Sequence, residues 1–297
     1  MSVTWDSFVE STCLMVGGYT NRQEQVTHIT EPLTVSDTSV TVFDTSNVSA
    51  GAVIEVGAEL IHVASVDASS NTVTFSPFGR GYRGSTASSH SLDSRVTISP
   101  AIPRFSVETA INESITGVWP MVYGVASVTF PYRAAVATYP LPAGAEKVIS
   151  VMADTTGPSA EWLPVRRWRM DASADATAFP TGSTVSIYDS ITPGRDVLVT
   201  YSHQPTPLTS GDLFTDSGLR ESAQDLIRLG AAYRLVPWLE VGHAPGNYAE
   251  SNYSAGLGRA TSPTSLGRFL VQAYQLRLQE ELSALQTAYP IRSHYTR

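Results

Sequence analysis

The stretch GAVIEVGAELIHVASVDASSNTVTFSPFGRGYRGSTASSHSLDSRVTI, at residues 51–98, decides how this chain is expected to fold. Its apolar residues alternate or cluster in short runs, which small polar turns such as the one at residues 69–71 separate. Runs of this length predict strands at residues 52–56, 59–66, 72–75 and 95–98, with an alternating segment at 34–43 before them. Residues 26–100 are therefore predicted to form a small antiparallel β module with hairpins.

Helical periodicity occurs on both sides of this module. Residues 5–16 place apolar side chains on one helical face, and two glycines end the segment. A second helix is predicted from Phe105 to Trp119, because Ser106 is a good N-cap and Pro120 stops a helix. Two more helices are predicted in the last third of the chain: one capped by Asp216 or Ser217, and one over residues 265–288.

A second β region is predicted at residues 125–205, where proline and glycine punctuate short apolar runs. The predicted strands cover residues 125–130, 147–152, 162–170, 184–189 and 196–201. Five short strands with frequent turns are typical of a sandwich or barrel. The predicted fold class is therefore α+β. A small helical bundle formed by residues 1–25, 101–124 and 206–288 is interrupted by the small antiparallel β module and by a β-sandwich or barrel-like insertion, and residues 289–297 form an extended C-terminal tail.

Composition excludes several classes of protein. Of the 297 residues, 42% are hydrophobic and 15% charged, whereas a disordered chain has few apolar residues and high charge. The net charge of -8 argues against a protein that coats nucleic acid or a membrane surface. The single cysteine excludes a disulfide within the chain and a cysteine-based zinc site. No apolar run is long enough for a transmembrane helix, and the N-terminus does not read as a signal peptide.

The glycine motif inside the β module is interpreted as a turn. Gly79, Gly81 and Gly84 match GxGxxG, but no apolar helical stripe follows them and no βαβ unit surrounds them. The Arg80 and Arg83 side chains within this turn are available, on sequence alone, to bind a partner. Glu59 and His62 have ligand-like spacing, but on a strand they point to opposite faces. No catalytic, cofactor-binding or metal site is predicted, and the chain is expected not to be an enzyme.

One predicted strand mixes aromatic and cationic side chains in a way that suggests contact with a neighbouring subunit. Its residues are Trp162, Arg166, Arg167, Trp168 and Arg169. Alternation leaves neither side of this strand uniformly apolar. Base stacking on nucleic acid and an ordinary arginine-decorated strand remain open alternatives.

The C-terminal helix and tail are the second predicted contact region. The apolar stripe on residues 265–288 is too wide for burial on one side, so part of it either completes the bundle or faces a partner. The tail either is disordered or docks into another protein as an added strand or short anchor. The predicted interface residues are Val271, Tyr274, Leu278, Leu285, Tyr289, Ile291, Arg292, Tyr295 and Arg297.

Residues 51–98 also resemble a β module common in structural proteins of tailed bacteriophages. That module has a strand pair of the form G.i.ig.E...V followed by RG..GT...H..G..V. Here Arg80-Gly81, Gly84-Ser85-Thr86, His90 and Val96 match, and Asp93 occupies the region of the second glycine. Three segments outside this module also fit a resemblance to phage structural proteins: YPLPAGAEKVISV, EWLPVRRWRM and PGRDVLVTYSHQPTPLTSGDLFTDSGLRESAQDLIRLGAAYRL. Over nearly its whole length the chain resembles phage head-to-tail adaptors, or neck proteins, that carry a β-sandwich insertion in a helical bundle.

The resemblance implies a structural virion protein that forms a ring, typically of twelve copies, beneath the portal at the capsid exit. The bundle would pack subunits side by side, the C-terminal helix and tail would reach the portal protein, and β elements would face downstream neck or tail proteins. DNA would pass through the lumen without specific binding, which suits an acidic chain. The expected location is the capsid–tail junction of the virion, with assembly in the host cytoplasm.

Two rival functions remain open on sequence alone. One is a tail or tail-terminator protein of the same virion, which also forms rings. The other is a carbohydrate-binding or glycan-hydrolysing β-sandwich protein, in which Trp162 and Trp168 would form the sugar platform and carboxylate pairs would act as acids.

Overall fold

The computed structural model describes residues 3–18, 24–154, 161–241 and 263–290. The fold over these ranges is α+β, with four α-helices and antiparallel sheets, which confirms the predicted fold class. The chain divides into two compact units: one contains residues 6–112 and 228–272, and the other contains residues 1–5, 113–227 and 273–297. The predicted extents of a separate helical bundle and of the tail stay predictions.

The first unit contains a six-stranded antiparallel β-barrel. Its strands are β1 Gln25–His28, β2 Ser39–Thr41, β3 Val53–Val56, β4 Glu59–Asp67, β5 Thr72–Phe75 and β6 Arg95–Ile98. They pair in the order β1-β6-β3-β4-β5-β2, and an antiparallel bridge between Ile29 and Val42 joins the two ends of that order. Alternate side chains point inward and form an apolar core that includes Ile54, Val63 and Val96.

The strand predicted at residues 34–43 is shorter in the structure, where only β2 is extended. Residues 34–37 form a turn instead, because the Asp37 carboxylate accepts the Thr34 amide hydrogen at 2.7 Å. A side chain that captures a nearby backbone donor offers the chain an alternative to the sheet ladder.

The second unit contains a β-sandwich. Its strands are β7 Gly124–Pro131, β8 Thr138–Pro140, β9 Ala145–Asp154, β10 Trp162–Pro164, β11 Trp168–Asp171, β12 Thr184–Ile187 and β13 Asp196–His203. One sheet has the order β10-β9-β13-β7 and the other has the order β11-β12-β8. Buried residues of both sheets, among them Val151, Val185 and Val199, form one apolar core.

The prediction of a single strand over residues 162–170 is wrong. The segment divides into β10, which pairs with β9, and β11, which pairs with β12 of the other sheet. Between them the Val165 amide donates to the Val151 carbonyl, and the next two amides donate to the Asp189 carboxylate. The chain therefore crosses from one sheet to the other at residues 165–167, and the alternation expected along one strand does not hold.

The four helices are α1 Trp5–Gly17, α2 Arg104–Gly117, α3 Gln224–Val241 and α4 Pro263–Ala288. The prediction that Asp216 or Ser217 caps α3 is wrong, because 3-10 turns at Phe214–Ser217 and Glu221–Ala223 precede the helix. Gly218 between the two turns has a φ of 83°, a left-handed conformation that interrupts a helix.

Side-chain contacts join α2 and α3 to α1 in the first unit. Arg104, the first residue of α2, forms ion pairs with Asp6 and Glu10 of α1. The guanidinium of Arg228 in α3 lies over the Phe8 ring, with 4.9 Å between its central carbon and the ring centroid. None of the helices within the described ranges combines the length and apolarity needed to cross a bilayer.

Candidate interaction surfaces

The glycine-rich segment of the barrel is a tight turn. Gly81 and Gly84 have φ angles of 62° and 87°, which L side chains rarely adopt. A Cβ on Gly79 would lie 2.7 Å from the His62 carbonyl oxygen, so no larger residue fits there without a shift. Only a three-residue 3-10 turn, Tyr82–Gly84, follows, and so the segment lacks the helix N-terminus that a dinucleotide loop requires.

A buried ionic cluster holds this turn in place. The Glu59 side chain is fully buried and accepts hydrogen bonds from Arg80 Nε at 2.6 Å and from Arg80 Nη2 at 3.0 Å. His90 Nε2 lies 2.8 Å from the same carboxylate, and the amides of Gly81 and Ser88 also donate to it. We call these three side chains, Glu59, Arg80 and His90, the barrel cluster.

The barrel cluster also ties three loops together. Arg80 donates to the carbonyl oxygens of Thr34 at 2.6 Å and Asp37 at 3.3 Å, and to that of Ser88 at 2.7 Å. Its guanidinium is therefore engaged within the chain, which corrects the suggestion that it is available to a partner. The neighbouring Arg83 is exposed and lies over the Tyr82 ring.

The pKa of Glu59 follows from this geometry. Burial alone would raise it, but hydrogen bonds from His90, Arg80 and the Ser88 amide, together with the Arg80 charge, outweigh burial and lower the pKa to about 2. The carboxylate is thus ionised at neutral pH, and the positive charge of Arg80 is compensated inside the barrel.

The expected divergence of Glu59 and His62 is present. Glu59 joins the barrel cluster, whereas His62 Nδ1 lies 2.6 Å from Ser76 Oγ and its ring contacts Tyr82. Across the described ranges no three histidine, cysteine or carboxylate side chains are grouped closely enough to hold a metal ion.

The aromatic and cationic segment of the sandwich is held by one carboxylate. Asp189 accepts hydrogen bonds from the amides of Arg166 and Arg167, and from Arg167 Nε at 2.9 Å. Burial acts to raise the pKa of Asp189, but these hydrogen bonds outweigh it and lower the pKa. Trp162 and Leu163 in β10 are 40% and 54% exposed, whereas Trp168 in β11 packs partly against the sandwich core.

Replacing Asp189 with alanine should loosen this crossing segment. Two amide donors and one guanidinium would lose their charged acceptor, at a cost of about 1–3 kcal/mol. Trypsin should then cleave after Arg166 or Arg167 roughly tenfold faster or more than in the wild type. Asp171→Ala, which removes one amide bond to Ser173, is the matched control. Equal cleavage rates in the two variants would show that Asp189 does not hold the segment.

One cavity brings together two regions that are far apart in the sequence and that were predicted as separate contact regions. It has a volume of about 570 Å³ and is lined by Arg166 of the crossing segment, by Trp168 of β11, and by Tyr289 and Pro290 after α4. Apolar side chains such as Met152 form another part of its wall. The predicted neighbour-contact segment and the start of the predicted tail are therefore adjacent within the second unit.

The predicted interface residues on α4 divide between buried and exposed positions. Leu285 is buried within the chain, Tyr274 and Leu278 are half-buried, and Val271 is exposed. Leu285 is thus not part of an exposed surface, which corrects its assignment. Four residues of the predicted set lie outside the described ranges: Ile291, Arg292, Tyr295 and Arg297.

The predicted interface set omits two exposed apolar residues of α4 and a buried acid. Phe269 and Leu276 are 60% and 65% exposed and lie seven residues apart, two helical turns along one face. Glu281 is buried, where it pairs with Arg277 at 2.9 Å and accepts a hydrogen bond from Ser222 at 3.0 Å. The exposed pair follows from helical spacing, but the contact between Glu281 and Ser222 spans 59 residues and leaves no local signal.

A second buried carboxylate lies beside a cavity of about 380 Å³ in the first unit. Glu55 accepts a hydrogen bond from the amide of Arg104 at the start of α2. Burial raises the pKa of Glu55 to about 7, although the Arg104 amide bond and charge act in the opposite direction. Burial also raises the pKa of Cys13, on the wall of the same cavity, to about 12, so this thiol is a poor nucleophile.

No protein-family model matches this sequence, and no curated protein matches it either.

Proposed function

We propose that this chain is a structural head-to-tail adaptor of a tailed bacteriophage, which forms a ring beneath the portal and links the capsid to the tail. In this role the protein is non-enzymatic, contacts the portal protein on one side and a downstream neck or tail protein on the other, and lines the channel through which DNA leaves.

The observation that carries this proposal is that the three residues of the barrel cluster are residues of the phage pattern. Glu59, Arg80 and His90 are the glutamate, arginine and histidine of the pattern that the sequence shares with phage structural modules, and all three meet in one buried network. Asp93, which occupies the region of a glycine in that pattern, has a φ of 64°. The pattern therefore corresponds to a structural requirement of this barrel, which supports the resemblance as more than chance spacing.

The cavity beside α4 gives further support. A ring adaptor needs contact surfaces near its C-terminal helix, and here Trp168 and Arg166 lie next to the residues that lead into the tail. The net charge of -8 suits a channel that DNA must pass without adhering, because like charge disfavours contact with phosphates.

The glycan-binding alternative is disfavoured by the positions of the two tryptophans. Trp162 and Trp168 belong to different sheets, and the ring of Trp168 packs partly against the core. A shared sugar platform formed by both is therefore absent from the described residues. A tail or tail-terminator ring protein remains the second candidate, since it would use the same kinds of contact.

Deletion of residues 289–297 tests the portal contact. We expect the truncated chain to lose at least roughly tenfold in affinity for the portal protein encoded by the same genome, measured by surface plasmon resonance. A control variant keeps the length and composition of the tail but has residues 291–297 in scrambled order. If the portal recognises the tail sequence, this variant should also bind weakly. Full-strength binding by the truncated chain would contradict a portal-docking tail.

A further inference from the structure

The strand β7 is an unprotected sheet edge. It is eight residues long, and among the described strands it pairs only with β13. Its sequence, GVASVTFP, contains no charged residue, and proline stands only at its end. A long, uncharged edge strand presents unpaired backbone donors and acceptors that a strand of another chain can pair with. Proteins usually prevent such pairing with charged residues, prolines or very short strands at the edge.

The two edges of the smaller sheet carry those protective features. In the smaller sheet, β8 has three residues and ends at Pro140, and β11 has four residues that include Arg169 and Asp171. The edge formed by β7 therefore differs from these two in both length and chemistry.

The opposite edge of the larger sheet is apolar and exposed. It is formed by β10, whose residues Trp162, Leu163 and Pro164 are all exposed and which pairs only with β9 among the described strands. Large aromatic side chains at an exposed edge are typical of surfaces that another protein covers. Neither β7 nor β10 itself contains a charged residue, so no like charges oppose one another when the two meet.

Strand direction makes these two edges complementary. Every neighbouring pair in the order β10-β9-β13-β7 is antiparallel, so that β7 and β10 run in opposite directions. When copies of this sheet are placed side by side in the same orientation, β7 of one copy meets β10 of the next in antiparallel alignment. The alternation then continues from copy to copy without interruption.

We propose that copies of this chain associate side by side through the larger sandwich sheet, with β7 of one copy pairing antiparallel with β10 of the next. The contact joins two different surfaces, which makes it heterologous, and heterologous contacts close into rings when the rotation between copies allows it. The closure into a ring rests on the proposed function; the β7–β10 contact between copies stands on the sheet edges alone.

Charge on the free edge should weaken the association. Ser127 and Thr129 in β7 are exposed, and their replacement with lysine leaves the apolar core untouched. We expect Ser127→Lys with Thr129→Lys, and separately Trp162→Asp, to weaken self-association by roughly tenfold or more in sedimentation velocity. Thr74→Lys, on an exposed position of barrel strand β5, is the matched control and should leave it unchanged.

Engineered cysteines test the same contact without relying on affinity. The strand registers place Thr129 on the same sheet face as Pro164. Residues two apart on a strand share a face, so Ser127 and Trp162 lie on that face too. Within one copy, β7 and β10 are separated by two strands, or about 14 Å, which is too far for a disulfide. Trp162→Cys combined with Ser127→Cys or Thr129→Cys should therefore cross-link only between copies and give a ladder of multimers on a non-reducing gel.

The outcomes separate this contact from the proposed function. Single-cysteine variants should give no ladder, since Cys13 reacts poorly. Oligomers that survive both charge variants and give no cross-link with either cysteine pair would overturn the β7–β10 contact and leave the proposed ring standing. A wild-type chain that stays monomeric at its highest soluble concentration would overturn the β7–β10 contact between free copies, and the proposed ring would fall only if the chain also stayed monomeric on the portal.

Discussion

Replacing Glu59 with glutamine should destabilise the barrel by about 3–5 kcal/mol. The substitution removes the only carboxylate of the barrel cluster and leaves the Arg80 guanidinium, which is 12% exposed, without a counter-charge. Arginine stays protonated in proteins, so the site cannot neutralise itself. Urea unfolding of the whole chain, with hydrogen exchange to locate the effect in β3 and β4, measures the loss.

A surface ion pair of the same unit is the matched control. Glu24 pairs with Arg95 at 2.9 Å, but both side chains are about half exposed. Glu24→Gln should therefore cost no more than about 1 kcal/mol. If Glu59→Gln cost as little as Glu24→Gln, the barrel cluster would not be the structural centre of the barrel.

The stability that the barrel cluster contributes should also be lost in acid. The pKa of Glu59 lies below its ordinary value of 4.5, so its stabilising effect is complete above that pH and is lost as the pH falls towards the folded pKa of about 2. The Glu59→Gln variant should lack this part of the acid dependence.

Glu55 should give the opposite pH dependence. Its folded pKa of about 7 lies above the ordinary value of 4.5, so its contribution is fully present below pH 4.5 and is lost as the pH rises through 7. The shift corresponds to about 3 kcal/mol between these limits. Glu55→Gln keeps an oxygen acceptor for the Arg104 amide but removes the buried charge, so it should be more stable than the wild type at pH 8.

An exposed glutamate of the same unit distinguishes this effect from a general change in charge. Glu31→Gln removes one negative charge from the surface and should leave the pH dependence of unfolding as in the wild type. The interpretation of Glu55 is wrong if Glu55→Gln and the wild type lose stability in parallel between pH 5 and pH 8.

Local pattern was sufficient to predict most strands and helices. Short apolar runs such as residues 72–75 and 95–98 became strands with the predicted bounds, because turn residues delimit them on both sides. The crossing at residues 165–167 could not be predicted, because the carboxylate that holds it, Asp189, lies more than twenty residues further along the chain. A segment that crosses from one sheet to the other can keep the same alternation of side chains in its sequence. The alternation therefore does not reveal the crossing.

Contacts between distant residues limited the prediction of the candidate site. Glu59 reaches Arg80 across 21 residues and His90 across 31, and no spacing rule connects them. The resemblance pattern contained all three residues but did not show that they touch. The free edge of β7 was equally invisible, because the order of strands in a sheet is a property of the fold and not of any one strand.

Electron microscopy of the purified full-length chain, alone and mixed with the portal protein encoded by the same genome, tests the central claim most directly. The adaptor proposal predicts closed rings with a central channel, and additional density on one face of the portal in the mixture. A chain that stays monomeric under both conditions and leaves the portal unchanged would contradict it.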